Sequence, residues 1–165
     1  MKVVIESEQF EKTLKRLTHE IIERNDDMSN VVLMGIKKKG TPIAKYLAKM
    51  IKEIDGTDVP VDEIDIMSHR DDEKKSITAT ANFLAPVDSK VVILVDDVLY
   101  TGRSVRAAMD AVIDLGRPAK IELAIFVDRG HRELPIRADF VGKNIPTSRS
   151  EQVVVDFEAK QVIIK

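Results

Sequence analysis

The chain has 165 residues, 44% hydrophobic and 33% charged, as expected of one soluble globular domain with a sizeable core. It has no cysteine, which excludes disulfides, thiolate metal centres and cysteine nucleophiles. A formal net charge of -2 lends no support to nucleic-acid binding, so any such role needs a local basic face. No apolar run is long enough to span a bilayer. The N-terminus turns charged at Glu6 and Glu8, with no signal-peptide pattern, and a cytoplasmic protein is expected.

Residues Glu8 to Arg24 are predicted to form a helix, with Phe10, Leu14, Leu17 and Ile21 on one stripe. Roughly opposite, taking ~100° per residue, lie Lys12, Lys15, Arg16 and His19. A face opposite a core stripe is ordinarily charged and solvated, and Glu23 shares it. A nucleic-acid surface and a plain solvated face both fit. Val31–Ile36 reads as a buried strand, ending in Gly35-Ile36-Lys37-Lys38-Lys39-Gly40. Thr41 is the predicted N-cap of the next helix, with Pro42 at its first position. That helix continues through Ile43, Leu47, Met50 and Ile51 towards Gly56. A glycine-bounded lysine turn between strand and helix suits a pyrophosphate, because amides, helix N-terminus and ammonium groups converge there. An ordinary solvated loop has the same composition.

Val59–Met67 is a predicted strand, whereas Ser68–Ser89 is polar and charged without a strong period. A structureless insertion of that length is unusual in a compact domain unless it is functional. Val91–Val95 reads as a buried parallel strand. It runs into Asp96-Asp97-Val98-Leu99 and the turn Tyr100-Thr101-Gly102-Arg103-Ser104. A helix over Arg103–Leu115 follows, with Val105, Ala108, Met109, Val112 and Leu115 at helical spacing and Gly116 closing it. Ile121–Val127 is another strand. From Ala138 onward the text is strand and turn, including Ile145-Pro146, and reads as a small appended lobe. Alternation of strand and helix predicts an α/β fold with a parallel sheet and right-handed crossovers.

The segment from Val91 to Ser104 carries the most chemistry. The carboxyl end of a parallel strand is where open α/β sheets bind ligands, and a turn feeding a helix N-terminus attracts phosphate. Two carboxylates beside that turn suit hydroxyls or a metal, so a phosphorylated sugar is the ligand suggested. The same pattern also serves proteins in which Asp or Ser merely caps the helix.

The wording Val95-Asp96-Asp97-Val98-Leu99-Tyr100-Thr101-Gly102-Arg103-Ser104 resembles the signature of the type I phosphoribosyltransferases, which bind phosphoribosyl pyrophosphate (PRPP). It is close to the version in the PyrR family, bacterial pyrimidine-operon regulators with uracil phosphoribosyltransferase activity. The stretch Val127 to Ser148, including Asp128-Arg129-Gly130-His131-Arg132-Glu133-Leu134-Pro135, is also very near the PyrR pattern. The resemblance implies one domain over residues 1–165, with a central mainly parallel sheet flanked by helices. It also implies a flexible lid loop at about 68–89, and a hood at about 128–165 with the N-terminal segment.

By the same resemblance, Asp96 and Asp97 hold the ribose hydroxyls, and Val98 and Leu99 lead into the 5′-phosphate turn at Tyr100, Thr101, Gly102, Arg103 and Ser104. Gly35, Ile36, Lys37, Lys38, Lys39 and Gly40 form the pyrophosphate loop, which in that family commonly holds a non-proline cis peptide. Arg70, in Arg70-Asp71-Asp72, is the catalytic lid arginine, and the lid closes over PRPP. Departures are His69, where those chains usually have tyrosine, and a shorter lid and C-terminus. Asp128, Arg129, Phe140, Val141 and Ile145 are assigned to the base. Purine-using relatives carry an aspartate at the place of Tyr100, so its absence argues against a purine. Mg2+ is implied, held largely by ligand and water with Asp96 and Asp97 indirectly involved.

PyrR-like chains also bind RNA, here implied for Lys12, Lys15, Arg16, His19, Arg24, Lys37, His131, Arg132, Arg137 and Lys143. Lys15 stands where relatives often have threonine. The implied partners are PRPP, uracil, UMP and the leader mRNA of the pyrimidine operon, with a homodimer or higher homo-oligomer expected. The implied function is transfer of phosphoribose from PRPP to uracil, giving UMP and pyrophosphate, together with UMP-responsive attenuation of transcription. A phosphoribosyltransferase without RNA regulation, and an RNA regulator with a weakly catalytic nucleotide-sensing site, remain alternatives.

Overall fold

The computed structural model describes residues 1–71, 74–82 and 86–165, and for residues 68–82 the backbone alone. Strand β1 (Lys2–Ile5) leads into helix α1 (Ser7–Arg24), and a one-turn 3-10 helix at Met28–Asn30 precedes β2 (Val31–Ile36). Then come α2 (Gly40–Asp55), β3 (Val61–Asp71), β4 (Lys74–Asn82), β5 (Val91–Leu99), α3 (Arg103–Leu115) and β6 (Lys120–Asp128). β7 (Phe140–Asn144), β8 (Val153–Asp156) and β9 (Gln161–Ile164) complete the chain.

The main sheet has the order β4-β3-β2-β5-β6-β7. The five strands from β3 to β7 in that order are mutually parallel, and β4 runs antiparallel to β3. This is the α/β architecture expected from the alternation of elements. β2 and β5 are buried along their apolar runs because each face is covered by helix. α1 and α2 pack one face through Phe10, Leu14, Leu17, Ile21, Ile43, Leu47 and Ile51. α3 packs the other through Val105, Ala108 and Val112 against Val92, Leu94 and Ile125.

A second, three-stranded antiparallel sheet, β1-β9-β8, joins the N-terminal strand to the last two. Its Ile5, Val153, Val155 and Val162 enter the same core as α1. Phe10 is the meeting point: its ring lies 4.6 Å from that of Phe126 in β6 and 5.9 Å from that of Phe157 after β8.

Three expectations need correction. The polar stretch 68–89 is not a structureless loop. Its backbone continues β3 to Asp71 and returns as β4, pairing Ser68 with Ile77 and Asp71 with Lys74. Ile77-Thr78-Ala79-Thr80-Ala81 alternates with period two and has β-branched residues, a strand signal hidden by the surrounding charge. Phe140–Asn144, expected in an appended lobe, instead extends the main sheet as a parallel neighbour of β6. Thr41 is not the N-cap: α2 starts at Gly40, with Lys39 before it.

The Phe10–Phe126 contact ties the two sheets through α1. Phe126→Ala is expected to cost about 3–5 kcal/mol, seen in thermal melts as a fall of roughly 2–4 °C per kcal/mol.

Candidate active site

Chain connectivity reverses direction between β2 and β5. After β2 the sheet grows one way to β3, and after β5 it grows the other way to β6 and β7. The crevice outside the carboxyl ends of two such strands is the ligand site of open α/β folds. Both loops singled out by sequence open there: 37–39 after β2 and 100–102 after β5.

The two loops are brought together by missing side chains. A Cβ on Gly40 would lie 2.1 Å from the Val95 carbonyl oxygen and 3.0 Å from the Asp96 Cα. A Cβ on Gly35 would lie 2.5 Å from the Thr41 Cα. Only glycine lets the α2 N-terminus settle directly on the strand that carries the carboxylates. This approach, rather than a side-chain cap, sets where α2 begins. The Lys37–Lys38 peptide is cis. Lys37, Lys38 and Lys39 are exposed, and Lys37 Nζ lies 3.4 Å from Asp65 and 3.7 Å from Glu63. The buried Thr41 Oγ1 has no hydrogen-bond partner among the described residues.

On β5 the carboxylates are oriented by their own backbone. The Asp97 amide donates to Asp96 Oδ1 at 2.8 Å, and the Val98 amide donates to Asp97 Oδ1 at 2.8 Å. Desolvation pushes the Asp96 carboxyl well above its ordinary value near 3.8, and the neighbouring Asp97 charge adds to the shift. A carboxyl in that state is poised for a hydroxyl donor or a cation.

Beyond them Gly102 adopts φ 93°, the left-handed region, and α3 starts at Arg103. The amides of a helix's first turn lack intrahelical partners and face any anion placed there. Asp96 and residues 98–105 line a cavity of about 390 Å3, within the range of small-molecule sites. The turn is braced from behind by the segment after β6. The Arg129 amide donates to the Leu99 carbonyl at 3.2 Å, the Glu133 amide to the Thr101 carbonyl at 2.9 Å, and Arg103 Nε to Glu133 Oε1 at 3.0 Å. The Arg103 side chain is therefore turned to Glu133.

The residues assigned to the base divide. Phe140 is 2% exposed and belongs to the main core, with the Arg24 guanidinium 5.6 Å from its ring centre, so its side chain is structural. Ile145 is also buried. Asp128 accepts from the Gly130 amide and, through its carbonyl, from the Ile145 amide. Arg129 is 7% exposed and donates through Nε and Nη2 to three local acceptors. Of the five residues, Phe140 has its side chain in the core and Arg129 has its guanidinium bracing residues 147–151. The Arg70 side chain and Asp72 lie outside the described residues.

The basic residues of α1 do meet those of the later segment. Arg16 donates to the carbonyls of Val141 and Gly142, and Arg24 pairs with Glu122 at 3.1 Å and Asp139 at 3.4 Å. Those bridges lay α1 along residues 139–142. They also occupy both arginines. Lys12 pairs with Glu8, Arg132 donates to the Ile136 carbonyl, and His131 Nε2 contacts the Thr147 carbonyl. Among the described residues Lys15, His19, Arg137 and Lys143 are exposed and hold no ion pair.

The Asp96 shift fixes a sign. The folded chain keeps this proton to higher pH than the unfolded chain does. The stability it contributes is therefore complete below the ordinary carboxyl range and is lost as pH rises through the raised value. Asp96→Asn is expected to melt above the ligand-free wild type at pH 8 and to match it near pH 4, in calorimetry. A wild-type advantage at pH 8 would contradict the desolvation.

Residues 4–161 match the phosphoribosyl transferase domain family. A bifunctional protein PyrR of Enterococcus faecalis is 52% identical over 162 residues, covering 96% of this chain and 91% of that protein. The bifunctional protein PyrR of Bacillus subtilis is 51% identical, covering 94% and 90% respectively. Among solved structures, a hypoxanthine phosphoribosyltransferase of Staphylococcus aureus superposes with a TM-score of 0.80 at 20% identity, over 98% of this chain and 89% of that one. A hypoxanthine phosphoribosyltransferase of Trypanosoma cruzi gives 0.80 at 16% identity, over 99% and 95%. At such identities the structures speak for the fold alone. The fold is that of the type I phosphoribosyltransferases, and the half-identical relatives over nearly the whole length make the chain a member of the PyrR family.

Proposed function

We propose that this chain transfers phosphoribose from PRPP to N1 of uracil, giving UMP and pyrophosphate. We further propose that in its nucleotide-bound state it binds pyrimidine-operon leader mRNA to promote termination, in the cytoplasm and as a homo-oligomer. The observation that carries the first part is the switch-point crevice, in which the lysine loop abuts the strand bearing Asp96 and Asp97.

The roles divide by position. The turn 100–104 and the α3 N-terminus hold the 5′-phosphate. Asp96 and Asp97 accept the ribose hydroxyls, and the amides and ammonium groups of 37–40 hold the pyrophosphate. As the anomeric carbon gains oxocarbenium character, the carboxylates lower the energy of the positive charge while the fold holds the reactants in line. Arg70, within the β3–β4 hairpin, is the lid arginine. Tyr100, at the place of the purine relatives' aspartate, favours a pyrimidine.

Among the described residues no three metal-ligating side chains converge. The donor set is two adjacent carboxylates, one of them desolvated. That set fits Mg2+ bound chiefly through ligand and water. The ion's contribution, when bound with PRPP, is to neutralise the departing pyrophosphate. In the presence of Mg2+, uracil and PRPP the purified chain is expected to form UMP. Asp97→Asn is expected to lower kcat/KM by at least about a hundredfold, on the scale of lost transition-state electrostatics. Absence of UMP in the wild type would sink the enzymatic half.

For RNA, the exposed basic residues Lys15, His19 and Lys143 beside the α1–β7 bridges form the contact surface. Truncating Lys15 and Lys143 together is expected to weaken UMP-dependent leader binding and to flatten its log–log salt slope by about 1–2. UMP formation is expected to be unchanged. If neither wild type nor variant shifts leader RNA with UMP, the chain is an enzyme alone, a reading that the pairing of Lys12, Arg16 and Arg24 favours.

A further inference from the structure

The phosphate turn is bound, through one buried arginine, to a turn that leads into the other sheet. Arg129 sits at the end of β6. Its Nε donates to Thr147 Oγ1 at 3.1 Å, and its Nη2 to the carbonyls of Ser148 at 3.0 Å and Glu151 at 2.6 Å. The guanidinium carbon lies 4.1 Å from the centre of the Tyr100 ring, within cation–π range. Tyr100 also meets His131 edge to face at 5.6 Å, and His131 Nε2 contacts the Thr147 carbonyl. Glu151 closes its own turn by accepting from the Ser148 amide, and Gln152 exchanges backbone hydrogen bonds with Lys165 at the margin of the β8–β9 sheet.

A buried guanidinium needs its donors satisfied. Here Nε and Nη2 donate to residues 147–151, while the face of the guanidinium lies on Tyr100. A second, thinner link runs beside it, from Tyr100 through the edge of His131 to the Thr147 carbonyl. A shift of Tyr100 on ligand entry changes the packing of the side chain that makes three hydrogen bonds to 147–151.

We propose that Arg129 is a positioning residue: stacked on Tyr100 and tied to Thr147, Ser148 and Glu151, it transmits occupancy of the phosphate turn to the 147–152 segment. Filling the turn orders that segment, and with it the β8–β9 sheet. The proposal rests on the reading that PRPP occupies the turn at 100–104. It makes binding of the sugar phosphate prepare a part of the molecule that the sugar phosphate does not touch.

The test is hydrogen exchange by mass spectrometry on the full chain with Mg2+ and PRPP. PRPP has no base, so direct contacts of a base with the 145–147 region do not arise. In the wild type, PRPP is expected to slow exchange at both 100–106 and 147–152. In Arg129→Lys, which keeps the charge but not the three-way fork, the slowing at 100–106 is expected to remain. That at 147–152 is expected to fall by about fivefold or more. Thr147→Val, which removes one acceptor without burying a new charge, is expected to show a smaller fall in the same place. Steady-state kinetics of Arg129→Lys are expected to raise KM for uracil about tenfold, with KM for PRPP within about twofold. Full slowing at 147–152 in both variants would overturn the proposal, as would a wild type that slows only at 100–106. A wild type that slows in neither region would overturn the PRPP reading itself.

Discussion

The parallel pairing of β2 with β5 is the constraint on which the site depends. It places two chain reversals side by side, and the absence of side chains at Gly35 and Gly40 lets them touch. Everything assigned to the sugar phosphate follows from that contact. The helix dipole and free amides of α2 face one end of the crevice, those of α3 face the other, and two carboxylates stand between them. Widening the gap by the size of one methyl would separate the cationic half of the site from the anionic half.

That closeness has an electrostatic counterpart. Packing the lysine loop against Val95 and Asp96 removes water from the carboxyl, which raises its proton affinity and leaves the ligand-free protein carrying a group whose charge is poorly solvated. Stability is surrendered at the carboxyl end of β5, at a group that a hydroxyl donor or a cation would relieve. Catalytic sites commonly hold such destabilised groups, because the partner that relieves them is the substrate.

Much of this was legible in the sequence, for reasons specific to each part. β2, β5 and α3 announce themselves because they are buried on a single pattern: continuous apolar runs for the strands, a 3.6-residue stripe for the helix. The Asp-Asp and lysine turns were legible because their chemistry is local. What was hidden depends on long-range contact. The strand at 74–82 was masked because its alternation lies among charges, and its pairing partner is earlier in the chain. The burial of Phe140 and Arg129 was hidden too, because sequence does not show whether an aromatic or an arginine packs against the core or a neighbouring turn. The α1 basic stripe could be drawn on a helical wheel, but not the fact that Arg16 and Arg24 are already committed to β7 and its approach.

Arg16 has one more consequence. β7 is the edge of the main sheet, and an edge strand presents unpaired backbone groups on which a strand of another molecule can add itself. By laying its guanidinium on the carbonyls of Val141 and Gly142, which point to opposite sides of the strand, Arg16 covers an acceptor that a foreign strand would need. That contact guards the sheet against growing into a neighbour, and any new acceptor brought to Arg16 would compete with the edge for the same donors.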